Sequence, residues 1–457
     1  MTIGTSPAWV FAAARRHHRT LAGVVDQGVV GIGNLAVGLL VLRAATKEEY
    51  GLYSLCYMTL ILLNGFSNAV FAAQLTVSYH ERPRQDRDGF AASLLRGQLL
   101  LSASLSLVVL AIAGLLPERV LPAEMRELLM VSALACPAVM AHDFLRSYFF
   151  LVDRPMNAVM LDLLLVTGWF VGTIGLGAGA MTSHTLAGLA AFGLSACVAA
   201  GAGLVLSRLP LRAEWRSALG AVAVAWNHGR WALGGAAVTA LQNQGHVYLL
   251  GWLGSARAVG ELNAARVLMM PMGLLIVGVG RTLTPAMARL AAEGRLADMS
   301  RTANRTLTGV VSVIGLYSLA MLAGEDWLIG RVLGASYAGI GPLVALWMVV
   351  LLLQAVDANL SAVMQVAKRF RELTIINMWT VGPVVAGAIP MIMAYGAEGN
   401  LVALAAGYAG ITLLLWREAK RAMAGLRASV AGRPRSAEVV VGVGKPDRVP
   451  LCDPERR

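Results

Sequence analysis

Residues 127–151 read ELLMVSALACPAVMAHDFLRSYFFL, an apolar run long enough to cross a lipid bilayer as a helix. The run nevertheless carries His142, Asp143 and Arg146, whose three- and four-residue spacing places them on one helix face. A charged side chain near the bilayer centre costs at least ~2.5–3.5 kcal/mol on insertion scales. Such groups inside a span are therefore expected to bind a solute or ion that enters from water.

Apolar runs of this kind recur along the whole chain. The 457 residues are 57% hydrophobic and 14% charged, with a mean hydropathy of +0.65, which excludes the soluble globular classes. Twelve runs are long enough to span: 21–42, 52–79, 92–116, 127–151, 156–179, 184–206, 231–253, 261–283, 306–323, 341–365, 373–395 and 399–416. The sequence therefore predicts an all-α polytopic membrane protein with about twelve transmembrane helices.

The distribution of Lys and Arg predicts the orientation. If the N-terminus is inside, the inner segments carry 29 of the 38 basic residues and the outer segments carry 6. Basic residues accumulate in cytoplasmic loops, so both termini are expected in the cytoplasm. The net charge of +12 is then mainly a topology signal, and nucleic-acid binding is not expected, because the basic residues flank spans.

The longest inner connection divides the chain into two halves of six spans. We expect an N-terminal lobe at 1–206, a cytoplasmic interfacial linker at 207–230, a C-terminal lobe at 231–416 and a basic, disordered cytoplasmic tail at 417–457. Gly51 and Gly260 each open the helix that returns from a short outer turn, which suggests a parallel internal repeat.

Three arginines lie inside spans: Arg96, Arg146 and Arg266. Arginine keeps its charge, and its planar fork pairs with carboxylate and phosphate, so the sequence favours a transporter for an anionic substrate. For Arg146 the alternative is an internal pair with Asp143 that only holds helices together. Arg96 and Arg266 have snorkelling to the headgroups as their alternative. Arg43 is either an interfacial anchor or a guard of the outer mouth.

Acidic and amide side chains complete the candidate site. Asp26, Asp143, Asp162 and Asp357 are candidates for proton or sodium coupling, and Asp162 is also expected to neutralise Arg96 or Arg146. The alternative for Asp357 is a hydrogen-bonded helix contact. Asn34 could line a cavity near Asp26. The seventh span carries four polar residues that we read as cavity lining, with interhelical bonding as the alternative: Gln242, Asn243, Gln244 and His246.

Patterns of soluble catalysis are not found. The chain has no phosphate loop with its lysine, no paired-histidine metal motif and no nucleophile elbow, so we expect a transporter without cofactor or metal. The four cysteines show no metal spacing and no outer pair for a disulfide.

Short motifs resemble a known family. The stretch from Asp26-Gln27 through Asn34 and Arg43 to the Glu-Tyr-Gly turn at 49–51 is similar to the opening of the polysaccharide flippases. These belong to the multidrug, oligosaccharidyl-lipid and polysaccharide exporter superfamily. Residues 146–162, with Arg154-Pro155 and Asp162, and residues 251–266 are also similar. The chain departs from the family at Gly245-His246, where members often carry an acid, and at Leu262, where they often carry a tyrosine.

The resemblance implies two six-helix lobes around a V-shaped central cavity that opens alternately to each side. The implied substrate is an oligosaccharide linked to a polyprenyl diphosphate, an O-antigen (lipopolysaccharide) or exopolysaccharide repeat unit, flipped from the inner to the outer leaflet of a bacterial inner membrane. Its diphosphate would meet Arg146, Arg96 and Arg266, with Arg43, Asn34 and His142 as further contacts. Membrane lipids, glycosyltransferases and a glycan polymerase are the expected partners.

A lipid-linked peptidoglycan precursor stays open as the flipped substrate at the sequence level, and two other functions also stay open. A multidrug or cation antiporter of the same superfamily would want acids and aromatic residues in its cavity, whereas only 7% of this chain is aromatic. A membrane glycosyltransferase or ligase would need a sizeable outer loop to hold its acceptor. The longest outer loop predicted here runs only over about 324–340.

Overall fold

The computed structural model describes residues 8–119, 121–179, 183–210, 215–324, 327 and 329–431. Within these ranges the chain forms helices and turns and no strand, which confirms the all-α class. The first six helices are α1 (Ala8–Ala44), α2 (Lys47–Ser78, with a π-helical turn at Asn68–Ala72), α3 (Arg87–Leu115), α4 (Ala123–Leu151), α5 (Pro155–Gly179) and α6 (His184–Ser207).

The described residues of the second half form six further helices. Helix α7 comprises Trp215–Ala240, a π-helical turn at Leu241–Gly245, and His246–Leu253. It is followed by α8 (Ala256–Ala292), α9 (Leu296–Ala323) and α10 (Gly341–Val366). Helices α11 and α12 share the segment Phe370–Ala431, and the chain changes direction at Gly396, whose φ of 57° is a conformation that glycine tolerates.

Ten helical segments of the described chain are long and apolar enough to span a membrane. One of them, Phe370–Arg427, contains both the eleventh and the twelfth predicted runs. The seventh predicted run lies in α7, where the π-helical turn interrupts the regular helix. The structure therefore agrees with about twelve predicted spans.

Two predicted boundaries differ from the structure. The predicted linker at 207–230 is not a separate helix from residue 215 onward, because Trp215 begins the helix that continues into the seventh span. Residues 211–214 lie outside the described residues. The predicted disordered tail begins as helix, since α12 continues to Ala431, and residues 432–457 also lie outside the described residues.

Short polar turns set where the helices begin at the predicted outer end. Thr46 caps α2 in a capping box, accepting from the Glu49 backbone while the Glu49 carboxylate accepts from the Thr46 backbone. Ser255 caps α8 by accepting from the Ala258 backbone at 3.1 Å. The turns between α1 and α2 and between α7 and α8 are each two residues long, so the paired helices are held close and antiparallel.

The hydrophobic core shows how the two lobes meet. At the predicted outer half one continuous cluster crosses both lobes, from Val37 and Tyr50 to Val259 and Leu404. At the predicted inner half the described residues form two separate cores, one around Phe144, which also includes Ala225 of α7, and the other around Met287. The lobes therefore share one core at the outer half, whereas at the inner half they meet through α7, which packs on the N-terminal lobe, and through Arg281 Nη2, which donates to Gln27 Oε1 at 3.2 Å.

The lobes touch most closely where α2 crosses α8. A Cβ atom added to Gly51 would overlap the carbonyl of Ala256, and one added to Gly260 would overlap the carbonyl of Lys47. Each glycine thus faces the carbonyl four residues before the other glycine, a reciprocal contact with two-fold symmetry. Lys47 Nζ also pairs with Glu261 Oε1 at 2.8 Å across the lobes. We call this contact the α2–α8 crossing.

The loop between α9 and α10 covers the α2–α8 crossing. The Tyr337 ring is fully buried, and Lys47 Nζ lies 5.6 Å from its centroid. Burial raises the pKa of Tyr337 above its ordinary value, so the ring stays a neutral phenol beside the cation. Arg43 donates to the backbone carbonyl of Arg331 in the same loop. The predicted outer end is closed in this conformation.

Candidate functional site

A cavity of about 290 Å³ lies between the lobes, and we call it the central cavity. Helix α1 contributes Gly31 and Asn34 from the N-terminal lobe, and the rest of the lining comes from the C-terminal half. The polar and aromatic lining side chains are Asn34, Gln242, Asn243, His246, Arg266, Trp347, Gln354 and Tyr408. The cavity therefore combines one cation with neutral hydrogen-bonding groups.

Arg266 is the charged residue of the central cavity. Among the described residues no carboxylate lies within 4.0 Å of its guanidinium, although the residue is half-buried. Its guanidinium carbon lies 5.8 Å from the centroid of the Trp347 ring, a cation–π contact that holds the cation without neutralising it. The N–H donors of an unneutralised guanidinium at the edge of a cavity are available to an anion.

Trp347 is itself fixed from two sides. Its indole N–H donates to the Leu262 carbonyl at 3.1 Å, and its ring meets His246 edge to face, with 6.2 Å between centroids. The His246 Nδ1 atom lies 3.2 Å from Asn400 Nδ2, and both residues are buried. These contacts hold the Trp347 ring in place, and the Trp347 ring in turn holds the Arg266 guanidinium.

The π-helical turn of α7 explains how four neighbouring polar residues are used. A π-turn widens the helix and changes which side chains share a face. Gln242, Asn243 and His246 line the central cavity, whereas Gln244 lines a separate cavity on the other side of Arg266. Gln242 also donates to the Asn377 carbonyl at 3.1 Å. Interhelical bonding and cavity lining, the two readings of these residues, therefore occur together.

Arg146 lies in a different place from Arg266. Its Nε donates to Asp162 Oδ2 at 2.8 Å, its Nη2 donates to Asp26, and its Nη1 lies 3.4 Å from Asp143 Oδ1. We call Asp26, His142, Asp143, Arg146 and Asp162 the N-lobe charge cluster. The residues around the central cavity do not include Arg146, so in this conformation the guanidinium is occupied by carboxylates and is not presented to an anion.

The N-lobe charge cluster has more acid than base. Asp26 and Asp162 are buried, while Asp143 also accepts from Asn64 Nδ2 at 3.0 Å. His142 Nε2 lies 3.2 Å from Asp162 Oδ1, close enough for an ion pair but not aligned as a hydrogen bond. Three carboxylates around one guanidinium leave an excess of negative charge that a proton or a cation would compensate.

The other predicted anion contacts lie away from the central cavity. Arg96 is buried, and its guanidinium folds back along α3 to the Ala92 carbonyl and the Ser93 hydroxyl, both at 3.2 Å. That direction is towards the predicted inner end of α3. Arg43 is exposed at the predicted outer end, and His142 belongs to the N-lobe charge cluster. Of the six candidates, Arg266 and Asn34 line the central cavity.

Asp357 lines a second cavity, of about 200 Å³, inside the C-terminal lobe. We call it the C-lobe cavity. It shares Gln242, Asn243, His246, Leu404 and Tyr408 with the central cavity, so the two cavities are neighbours. The Asp357 Oδ1 atom is buried without a hydrogen-bond partner among the described residues. A buried oxygen without a partner calls for an explanation, and a bound proton or small cation would provide one.

A third cavity, of about 160 Å³, lies on the N-terminal side of Arg266, and we call it the aromatic pocket. Asn34, Arg266 and Met270 line both it and the central cavity. Its aromatic lining consists of Tyr50, Tyr53, Tyr57 and Trp169.

Sequence reasoning missed these rings and Trp347. An aromatic residue in a span is an ordinary core residue, and only the fold shows which ones reach a cavity.

Comparisons with known proteins identify the fold. A family model described as polysaccharide biosynthesis protein matches residues 40–340. The structure is similar to that of the lipid II flippase MurJ in an inward closed conformation, with a TM-score of 0.73 and 12% identity over 90% of this chain and 91% of that chain. A comparison with curated protein sequences gave no significant match.

Two multidrug and related transporters are also similar. An inward-facing multidrug resistance MATE family transporter of the MOP superfamily gives a TM-score of 0.65, with 14% identity over 89% of this chain and 99% of that chain. A MOP superfamily transporter from Pyrococcus furiosus, described by a binding pocket of reverse polarity, gives 0.54, with 14% identity over 89% and 95%. At these identities the likeness shows the fold alone.

Proposed function

Since the chain belongs to the polysaccharide biosynthesis protein family and has the MOP transporter fold, we propose that it flips a polyprenyl-diphosphate-linked oligosaccharide across the bilayer. Transport runs by alternating access, from the inner to the outer leaflet of a bacterial inner membrane. The substrate is an O-antigen or exopolysaccharide repeat unit, made by glycosyltransferases inside and used by a polymerase outside. The polyprenyl chain stays in lipid.

The observation that carries this proposal is the unneutralised guanidinium of Arg266 between the lobes. A diphosphate would supply the anion that the described residues do not, in a cavity where charge–charge attraction is strong. A cationic drug would meet repulsion at the same point, which speaks against the antiporter alternative. The similar protein MurJ is described as a flippase of lipid II, which is also a lipid-linked saccharide. This likeness supports a lipid-linked saccharide as the class of substrate.

The conformation fits the start of such a cycle. The outer end is closed by the α2–α8 crossing, and among the described residues the contacts between the lobes at the inner half are fewer, with no shared core apart from the start of α7. Moving about two negative charges outward across an inside-negative potential of ~100 mV releases roughly 4–5 kcal/mol, at ~2.3 kcal/mol per charge. The membrane potential therefore favours the proposed direction.

Ion coupling is proposed at two places. Asp357 in the C-lobe cavity has an unpartnered oxygen next to the substrate cavity, so a proton or sodium ion bound there would be sensed by the same lining residues. The N-lobe charge cluster, with Asp26, Asp143 and Asp162 around Arg146, would take up a second cation. Arg146 then offsets part of the negative charge of this cluster and does not contact the diphosphate in the closed conformation.

The test is transport in proteoliposomes. The probe is undecaprenyl diphosphate carrying a short oligosaccharide with a fluorophore on the sugar, and a membrane-impermeant reductant measures which leaflet holds the label. We expect Arg266→Gln to abolish flipping, while Arg289→Gln, an exposed arginine on the same helix, keeps the wild-type rate. Wild-type flipping in Arg266→Gln would refute the assignment of the diphosphate to Arg266.

A further inference from the structure

The aromatic pocket is built around a row of stacked rings. Tyr50 and Tyr53 are stacked at 6.0 Å between centroids, Tyr53 and Tyr57 at 6.0 Å, and Tyr57 and Trp169 at 5.6 Å. The three tyrosines lie at three- and four-residue spacing on α2, so one helix face carries them all. Trp169 is fixed by its indole N–H, which donates to the Gly188 carbonyl at 2.9 Å.

The same pocket has hydrogen-bonding atoms that the protein does not use. Gln244 Oε1 is buried and has no hydrogen-bond partner among the described residues. Asn34 Oδ1 accepts from the Tyr57 hydroxyl at 3.1 Å, which leaves its amide N–H groups for another partner. Asn263 donates to the Val259 carbonyl at 3.1 Å, which leaves its amide oxygen as an acceptor. Leaving a buried acceptor unpaired costs free energy, so a partner from outside is expected.

A packed core accounts for only part of this arrangement: Tyr50, Tyr53 and Trp169 are buried among core residues, and Phe192 packs on Tyr57 and Trp169. Rings that serve only as core are closely surrounded by other apolar atoms, since protein interiors are close-packed. Here the rings border about 160 Å³ of space, the room of about five water molecules at ~30 Å³ each. The lining mixes aromatic surface with amide groups, and Arg266 stands at the boundary with the central cavity.

We infer that the aromatic pocket binds the sugar ring attached directly to the diphosphate, with the diphosphate at Arg266. A sugar ring presents apolar C–H faces, which suit aromatic side chains, and hydroxyl groups at its edge, which suit amide donors and acceptors. The pocket has room for one ring, so it binds the first sugar, and the remaining sugars lie in the wider central cavity. This inference rests on the proposed function.

The test compares lipids that differ only in this sugar. Undecaprenyl diphosphate and its N-acetylglucosamine and galactose conjugates are titrated onto the full chain in nanodiscs, and binding is read by native mass spectrometry. We expect one conjugate to bind about tenfold more tightly than the sugar-free lipid, the size of one good hydrogen bond. Gln244→Leu is expected to reduce that ratio to about one and to leave the affinity for the sugar-free lipid unchanged.

Gln244→Leu also has a stability readout. Replacing an unpaired buried acceptor by an apolar group of similar size removes a desolvation cost, so the melting temperature should stay equal or rise. Gln365→Leu, at an exposed glutamine of α10, is the matched control and should change neither quantity. Tyr57→Leu is a second variant that removes a ring, and it should lower the same ratio.

The outcomes separate this inference from the proposed function. A wild-type chain that binds the sugar-free lipid and every conjugate equally would overturn the pocket assignment and leave the diphosphate site standing. An unchanged ratio in folded Gln244→Leu and Tyr57→Leu proteins would also overturn it. A wild-type chain that binds none of the diphosphate lipids would overturn both proposals.

Discussion

Gly51→Ala tests whether the α2–α8 crossing holds the outer end closed. The new Cβ would overlap the Ala256 carbonyl, and backbone atoms cannot move aside as a flexible side chain can. Overpacking of this kind costs typically ~1–3 kcal/mol. The cost falls on the closed conformation alone, because α2 and α8 must separate when the outer end opens. The open population should therefore rise by roughly 5–150-fold.

Accessibility of a cavity cysteine measures this shift. Met270→Cys, in a background without other cysteines, places a thiol between the central cavity and the aromatic pocket. A membrane-impermeant thiol reagent added outside should react faster in Gly51→Ala by about the factor that the overpacking cost implies. Gly260→Ala should act in the same direction, since it makes the reciprocal contact.

Gly65→Ala is the matched control for this experiment. It lies on the same helix, and a Cβ added there meets nothing within 4 Å. Both substitutions add the same helix propensity, about 1 kcal/mol, so the comparison isolates the contact. Equal reaction rates in folded Gly51→Ala and Gly65→Ala proteins would refute the argument that this crossing closes the outer end.

Three further outcomes are expected. Asp162→Asn should lower the free energy of unfolding by about 1.5–3 kcal/mol, because Arg146 loses one charge-assisted hydrogen bond and keeps Asp26 and Asp143 as partners; a melting temperature in detergent equal to that of the surface variant Asp298→Asn would contradict this. Lys47→Met should raise outside accessibility by less than ~5-fold, since a partly exposed ion pair contributes about 0–1 kcal/mol, and a larger change than in Gly51→Ala would contradict the ranking of the two contacts. Asp357→Asn should remove the response of flipping to an imposed proton or sodium gradient at constant membrane potential; an unchanged response would exclude Asp357 as the coupling site.

The fold could be predicted from the sequence because hydropathy alone reports burial in lipid. Long apolar runs and basic flanks gave the helix count, and the reversal at Gly396 falls between the predicted runs 373–395 and 399–416. The start of α7 was harder to predict. The stretch after Trp215 has the amphipathic spacing of an interfacial helix, but it packs on α2 and α3 as the first part of a span.

The candidate site could be predicted only in part. Sequence placed Arg146 and Arg266 at membrane depth, yet it could not show that, within the described ranges, Arg146 faces three carboxylates and Arg266 faces none. That difference arises because Asp26 and Asp162 come from other helices of the same lobe. Trp347 and the tyrosines of α2 could not be singled out, since aromatic residues in a span are equally suited to lipid, core or cavity.

The α2–α8 crossing lies near one end of two long helices, so a small change in the crossing angle moves their other ends much further. From Gly51 to Ser78 helix α2 extends roughly 40 Å, at 1.5 Å per residue. A swing of about 10° around a fulcrum at the glycines would then displace its far tip by roughly 7 Å. A shift of a fraction of an ångström between the two backbones at the crossing can therefore move the far end of α2 by several ångströms.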